Sequence, residues 1–259
     1  MSPLHAFALA TVTVVLSKTL AWLIQLRTRN GGMVDPIWAF TLGALAPLYA
    51  WLGTAPSATA WALGLMGGLW GFRLGLHLFL RNWGKPEDWR YAQFRAQWGE
   101  KANANMFWFF QFQNLFTLML SSSAYLVVAY RTDDPPLWAF GLALTLWLVS
   151  VVGEGVADRQ MEAFRADPAN RGQVCRRGLW RYSRHPNYFF ECVHWLAYIP
   201  LAVGAPLAWT TLFAPLVMAF LLVRLSGMPL LEREMIQRKP GYAEYVRTTS
   251  ALVPWFVKR

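Results

Sequence analysis

The chain has 259 residues, 56% of them hydrophobic and 15% charged, with a mean hydropathy of +0.28. A soluble domain of this length carries more charge, so a water-soluble globular fold is excluded. The formal net charge of +10 does not point to nucleic acid, because the basic residues alternate with apolar stretches, as they do in the positive loops of a membrane protein.

A membrane-crossing helix needs about 20 mostly apolar residues. By that rule the chain predicts seven spans: 4–26, 35–53, 57–80, 106–130, 136–157, 188–206 and 208–226. The first is too long for a signal peptide, lacks a small-residue cleavage site and reads as a retained helix. The last two are separated by a turn near Gly204-Ala205-Pro206. The expected fold is an all-α membrane protein in one domain, 1–259, with substrate-side helices in 1–130 and a cofactor-binding region in 136–259. Long cytoplasmic loops would enclose the cofactor.

The connections are unequal in charge. Arg27 and Arg29 follow the first span. Arg81, Lys85, Arg90, Arg95 and Lys101 follow the third. Arg159, Arg165, Arg171, Arg176, Arg177, Arg181 and Arg184 follow the fifth. Arg233, Arg238, Lys239, Arg247, Lys258 and Arg259 lie in the tail. The loops of the other side carry Arg131 alone. This skew predicts a cytoplasmic C-terminus and an N-terminus on the far face, in the inner membrane if the source is bacterial. Fifteen Trp and seventeen Phe suit interfacial belts and lipid-facing surfaces. Cys175 and Cys192 make neither a disulfide framework nor a metal site. No internal repeat of the transporter kind and no GxGxxG turn is present.

The densest chemistry lies in GLWRYSRHPNYFFE, 178–191, which runs straight into an apolar stretch. Charge pressed against a membrane-grade segment is costly unless something binds it. Arg176, Arg177, Arg181, Arg184 and His185 have the chemistry to hold phosphates. Asn187 and Glu191 lie one helical turn apart on one face. RNWGKPEDWRY, 81–91, mixes cations with Trp83, Trp89 and Tyr91; it reads equally as a phosphate-and-base site or as an interfacial loop with snorkelling cations. Polar residues inside or at the ends of spans are a second signal: Asp35, Arg73, Gln111, Gln113, Asn114, Glu154, Asp158, His194 and Arg224. Taken singly, each is also explained by snorkelling or helix–helix hydrogen bonds. The tail reads as an amphipathic helix, 231–238, then Pro240-Gly241, folding back with Tyr242 and Tyr245 onto the same face.

SRHPNYFFE, followed by an apolar helix and a tail with LLE and KPGYAEYVRTTSALVPWF, resembles the membrane-embedded steroid 5-alpha-reductase family and its bacterial relatives. EDWRY and MVDPIW are similar to segments of those relatives. The resemblance covers most of the chain and is strongest from about Glu154 onward. RHPNY with the following Glu is shared by a wider superfamily that includes isoprenylcysteine carboxyl methyltransferases and sterol reductases. The resemblance implies a seven-helix enzyme, without metal, that binds NADPH from the cytoplasm and takes a lipophilic, steroid-like substrate from the bilayer. It implies cofactor contacts from Asn82, Lys85, Arg90, Tyr91, Asp158, Arg165, Tyr182, Arg184, His185, Asn187, Tyr188, Glu191 and Arg224. It implies Asp35 as the acidic residue that polarises the substrate; Gln111 or Asn114, from their depth in span four, would assist, and Trp38 and Trp70 are expected on the substrate side. The family's second polarising group, a tyrosine in span three, has no counterpart: its position is Gly71.

The implied reaction is addition of hydride to the β carbon of a conjugated ketone. Negative charge develops on the carbonyl oxygen, and a donor aimed at it is worth about 3 kcal/mol. Asp35 would supply that donor. The chain is expected to work as a monomer among membrane lipids. Two alternatives are an S-adenosylmethionine-dependent methyltransferase acting on an isoprenylated or lipid substrate, and a non-enzymatic sterol- or lipid-binding membrane protein.

Overall fold

The computed structural model describes residues 1–225 and 227–257. Ser226, at the end of the predicted seventh span, and the tail cations Lys258 and Arg259 lie outside the described residues. Among the described residues the fold is helical, with no strand and one isolated bridge between Ser183 and Ser250. Six helical stretches there are long and apolar enough to cross a membrane: Pro3–Thr28, Gly31–Leu52, Ser57–Asn82, Trp89–Ala129, Leu137–Ala166 and Ala208–Arg238. These are the marks of an integral membrane protein. The chain divides into two compact units, residues 1–136 with 201–213 and residues 137–200 with 214–259.

The first unit begins with α1 (Pro3–Thr28), whose N-cap Ser2 accepts from the His5 amide. Its inward face is Ala6, Ala10, Val14, Lys18, Ala21 and Gln25, at helical spacing. Leu4, Val12, Leu16, Leu20 and Leu23 point outward and are exposed. Small and polar groups inside with large apolar groups outside is the distribution expected when lipid is the solvent. Asn30 caps a short turn, Gly31–Met33, that leads into α2 (Val34–Leu52). Helix α3 (Ser57–Asn82) packs on α2 through glycine. A Cβ on Gly71 would lie 2.3 Å from Gly43 Cα, and one on Gly67 2.3 Å from Ala46 Cβ. The GxxxGxxxG run of Gly67, Gly71 and Gly75 is what lets the two backbones approach.

The segment 81–105, expected as a loop, contains helix α4 (Trp89–Trp98), with Asp88 as N-cap accepting from the Arg90 amide. The Pro-Glu-Asp sequence ahead of Trp89 is the start signal that a hydropathy count passes over. Helix α5 (Ala102–Ser121) follows, then a π-turn, Ser122–Leu126, and the short α6 (Val127–Ala129). Arg131 is buried and donates to the carbonyls of Asp133, Leu201 and Val203, so it ties two loops together.

The second unit begins with α7 (Leu137–Ala166). It outlasts the predicted end at 157 because Arg-Gln-Met-Glu-Ala-Phe-Arg-Ala is rich in helix formers. Helix α8 (Pro186–Leu196) and the short α9 (Tyr198–Leu201) occupy the predicted span 188–206. Neither is long enough to cross a membrane. Pro200 has no N–H to offer the Leu196 carbonyl, and α8 ends there. Gly153 of α7 faces Phe190 of α8, where an added Cβ would meet the ring at 2.3 Å. Helices α10 (Phe213–Phe220), α11 (Met228–Arg238) and α12 (Tyr242–Thr248) complete the chain.

Candidate functional site

In the first unit the centre of polarity is Asp35, in the first turn of α2. One carboxylate oxygen accepts from Arg90 Nη2 at 2.8 Å and the other from the Tyr91 hydroxyl at 2.6 Å. Arg90 also donates through Nε to Asp88 at 2.9 Å. Burial opposes ionisation of Asp88, but the hydrogen bonds and charge of Arg90, with Arg81 behind, hold its carboxyl below the ordinary value. Tyr91 is buried against Ala21, Val34, Met106 and Phe110. A second group lies beside this one. Glu87 accepts from Arg95 at 2.8 Å and from the Gly31 amide at 2.6 Å, and Arg95 reaches Gln25 at 3.0 Å. These bonds hold α4 against the turn that starts α2, which places Tyr91 and Arg90 on Asp35.

The expected acid is therefore a hydrogen-bonded acceptor between a guanidinium and a phenol. Both of its oxygens are engaged, so in this arrangement it orients donors and does not itself act as one. Arg90 and Tyr91, expected at the cofactor, gather around Asp35. Trp38 and Trp70 meet edge to face at 6.5 Å. Gln111 donates to Thr19 at 3.2 Å and accepts from Asn114 at 2.7 Å. Asn82 is buried and donates to the Gly32 carbonyl at 3.5 Å, while the Asn82 and Lys85 carbonyls accept from Asn30. Asn82 thus braces the 30–33 turn, and the Lys85 side chain is exposed.

The second unit holds the remaining predicted residues. Arg184 is buried and grips Glu232 with Nε at 2.7 Å and Nη2 at 3.2 Å. Its Nη1 donates to the carbonyls of Val246, at 2.9 Å, and Thr249. His185, 2% exposed, meets the same Glu232 at 2.9 Å and stacks on Tyr188 at 5.2 Å. The tail is pinned further by the Tyr245 hydroxyl, which donates to the carbonyls of Trp180 and Ser183, and by Ser183 donating to Leu252. Arg184 and His185 are thus a clamp that holds α11, α12 and the last residues on the 178–185 segment. Both were expected at the cofactor; here the Arg184 fork is taken up by a bidentate carboxylate and two carbonyls, and His185 by the same carboxylate.

Asn187 and Tyr188 are half-buried on the first turn of α8, and Glu191 is buried one turn on, accepting from Trp195 at 3.2 Å. Asp158 is half-buried on α7, while Arg165 and Arg224 are exposed. Tyr182 is exposed, with Arg181 above its ring at 5.9 Å. A surface cleft of about 550 Å³ is lined by Arg171, Gln173, Arg176 and Gly241. Arg177, Arg181 and Arg247 are exposed as well. Cys175 is buried with Phe164 and Trp180, and burial pushes its thiol up. No group of three metal-ligating side chains occurs among the described residues.

Sequence patterns did not single out Glu87, Asp88, Glu232 or Lys18. Lys18 is wholly buried in the middle of α1. A charge ten residues inside a largely apolar helix whose other charged residue, Arg27, sits in the last turn was the available signal for Lys18.

A family described as a protein of unknown function (DUF1295) matches residues 21–249. An uncharacterized protein of Schizosaccharomyces pombe is 27% identical over 223 residues, which is 73% of this chain and 63% of that relative. The chain thus spans less than two thirds of the relative's length. No solved structure matches. With all but the ends of its sequence inside the match, the chain belongs to the DUF1295 family.

Proposed function

We propose that this chain is a membrane oxidoreductase that uses NADPH to saturate the double bond of a lipophilic conjugated ketone, such as a 3-oxo-4-ene steroid. The observation that carries the reading is the Asp35, Tyr91 and Arg90 constellation at the head of a membrane-spanning helix, where polar groups are costly without a task. Asp35 orients the Tyr91 hydroxyl and the Arg90 guanidinium. Arg90 engages the two carboxylates through Nε and Nη2, so its Nη1 edge is the donor suited to receive negative charge on a carbonyl oxygen, with the Tyr91–Asp35 bond fixing its position.

The donor set of the second unit fits a phosphate-bearing cofactor. Arg171, Arg176, Arg177 and Arg181 are exposed along one segment, and Asn187 and Glu191 share a face of α8. Arg171 and Arg176 would hold phosphates; Asn187 and Glu191 would orient a carboxamide or ribose. The chemistry that NADPH would supply there is a hydride for the β carbon of the enone, and solvent would supply the proton for the α carbon. In this reading the basic connections face the cytoplasm and the substrate enters from lipid.

The test is loss of reduced-nicotinamide absorbance when purified protein meets NADPH and a 3-oxo-4-ene steroid. Asp35→Asn should lower turnover about a hundredfold with NADPH affinity unchanged. Absence of both NADPH binding and oxidation by the native chain would overturn the assignment. The engagement of Arg184 and His185 by Glu232 leaves fewer cations for phosphates and favours a second reading, methyl transfer from S-adenosylmethionine. Labelled methyl appearing on an isoprenylated thiol or lipid would establish that instead.

A further inference from the structure

Lys18 lies ten residues from the end of α1 at Thr28, about 15 Å along the helix. That is too far for its ammonium to snorkel to an interface. Its side chain is 0% exposed, and Nζ has no hydrogen-bond partner among the described residues. A polar ladder between α1 and α5 is also incomplete among the described residues. Gln111 bonds Thr19, the neighbour of Lys18, and Asn114 bonds Gln111, yet the buried Asn114 Oδ1 has no partner. Asp35 is near enough for its charge to act on Lys18. An unpaired donor in such a place is expensive to keep. Burying a side chain of the same length without charge would cost less, so the charge has a use.

We propose that Lys18 binds the carbonyl oxygen of the lipophilic substrate and holds its negative charge as hydride adds. The side chain offers only donors, so its partner is an acceptor. Its helix neighbours on the same face are Val14 and Ala21, which suit a hydrocarbon body. A carboxylate is already supplied beside Lys18 by Asp35, whose charge acts on it. A neutral ketone oxygen is the acceptor that suits it. The catalytic half of this assignment rests on the reductase reading; the binding half does not.

Detergent-purified protein should bind a 3-oxo-4-ene steroid about tenfold more tightly than its 3-deoxo analogue, the worth of one charge-assisted hydrogen bond. Lys18→Met should bind both alike, with NADPH affinity unchanged and turnover reduced. Retention of the ketone preference by Lys18→Met overturns the proposal, and so does its absence from the native chain. If that variant does not fold, protection of Lys18 in the native chain from an apolar amine-reactive reagent decides. The ketone should protect and the deoxo analogue should not; equal labelling overturns the proposal. A native chain that prefers the ketone but never oxidises NADPH sinks the reductase reading and leaves the Lys18 site standing.

Discussion

Replacing Arg184 by methionine removes four hydrogen bonds at once. Two are charge-assisted bonds to Glu232, at 2.7 and 3.2 Å, and two reach the carbonyls of Val246 and Thr249. Glu232 keeps only His185, and the tail loses its buried anchor. Removing one partner of a buried pair costs about 3–5 kcal/mol, which raises the population with a detached tail at least about a hundredfold. Limited proteolysis of detergent-purified protein reads that population directly where opening is fast relative to cleavage. The cut sites should fall between Lys239 and Val257. Arg184→Met combined with Glu232→Leu should recover most of the loss, because an apolar pair is tolerated where a lone carboxylate is not. A loss under about 1 kcal/mol with unchanged proteolysis is what an exposed phosphate-binding arginine would give. That result would refute the clamp.

Gly71→Ala should lower the thermal midpoint by the equivalent of about 1–3 kcal/mol or more, because its Cβ would meet Gly43 backbone at 2.3 Å; an unchanged midpoint would mean that α2 and α3 do not cross there. Asp88 ionises more readily folded than unfolded, so its contribution is complete above about pH 4 and is lost as pH falls through the lower folded value. Asp88→Asn should therefore flatten the acid limb of a melting profile, and an acid limb as steep as the native one would count against the Arg90 pairing. Asn187→Ala and Glu191→Ala should each weaken NADPH binding by calorimetry; unchanged heats in both would remove them from the cofactor site.

Much of this architecture is legible along the chain because each span carries its own signal. A run of Leu, Val and Ala with few charges reads as membrane whatever surrounds it, and α1, α2, α3 and α7 lie where such runs predict. The segments that mislead are those whose signal is short or mixed. Helix α4 is announced by Asp88 and then carries Trp, Arg and Gln alike, so it looks like a loop. Helix α8 stops early because of Pro200, an effect that summed hydropathy does not register. In the polar stretches the residue types were visible but their partners were not. Arg184 and His185 stand in the most basic run of the chain, yet the residue that claims them, Glu232, is 48 and 47 positions away.

Composition and the spacing of apolar runs by themselves determined that this is a multi-span helical membrane protein, because lipid demands long uninterrupted helices with satisfied backbones. They also gathered its charged residues into a few polar segments. Which polar groups meet was decided only by the tertiary structure. Asp35 finds Arg90 and Tyr91, 55 and 56 positions on, because Glu87 and Arg95 lock α4 to the start of α2. Gly71 has no room for a side chain because Gly43 stands against it. Lys18 faces inward because the small residues of its stripe pack while the leucines turn to lipid. A side chain's type is local information, but its partner depends on how distant helices pack.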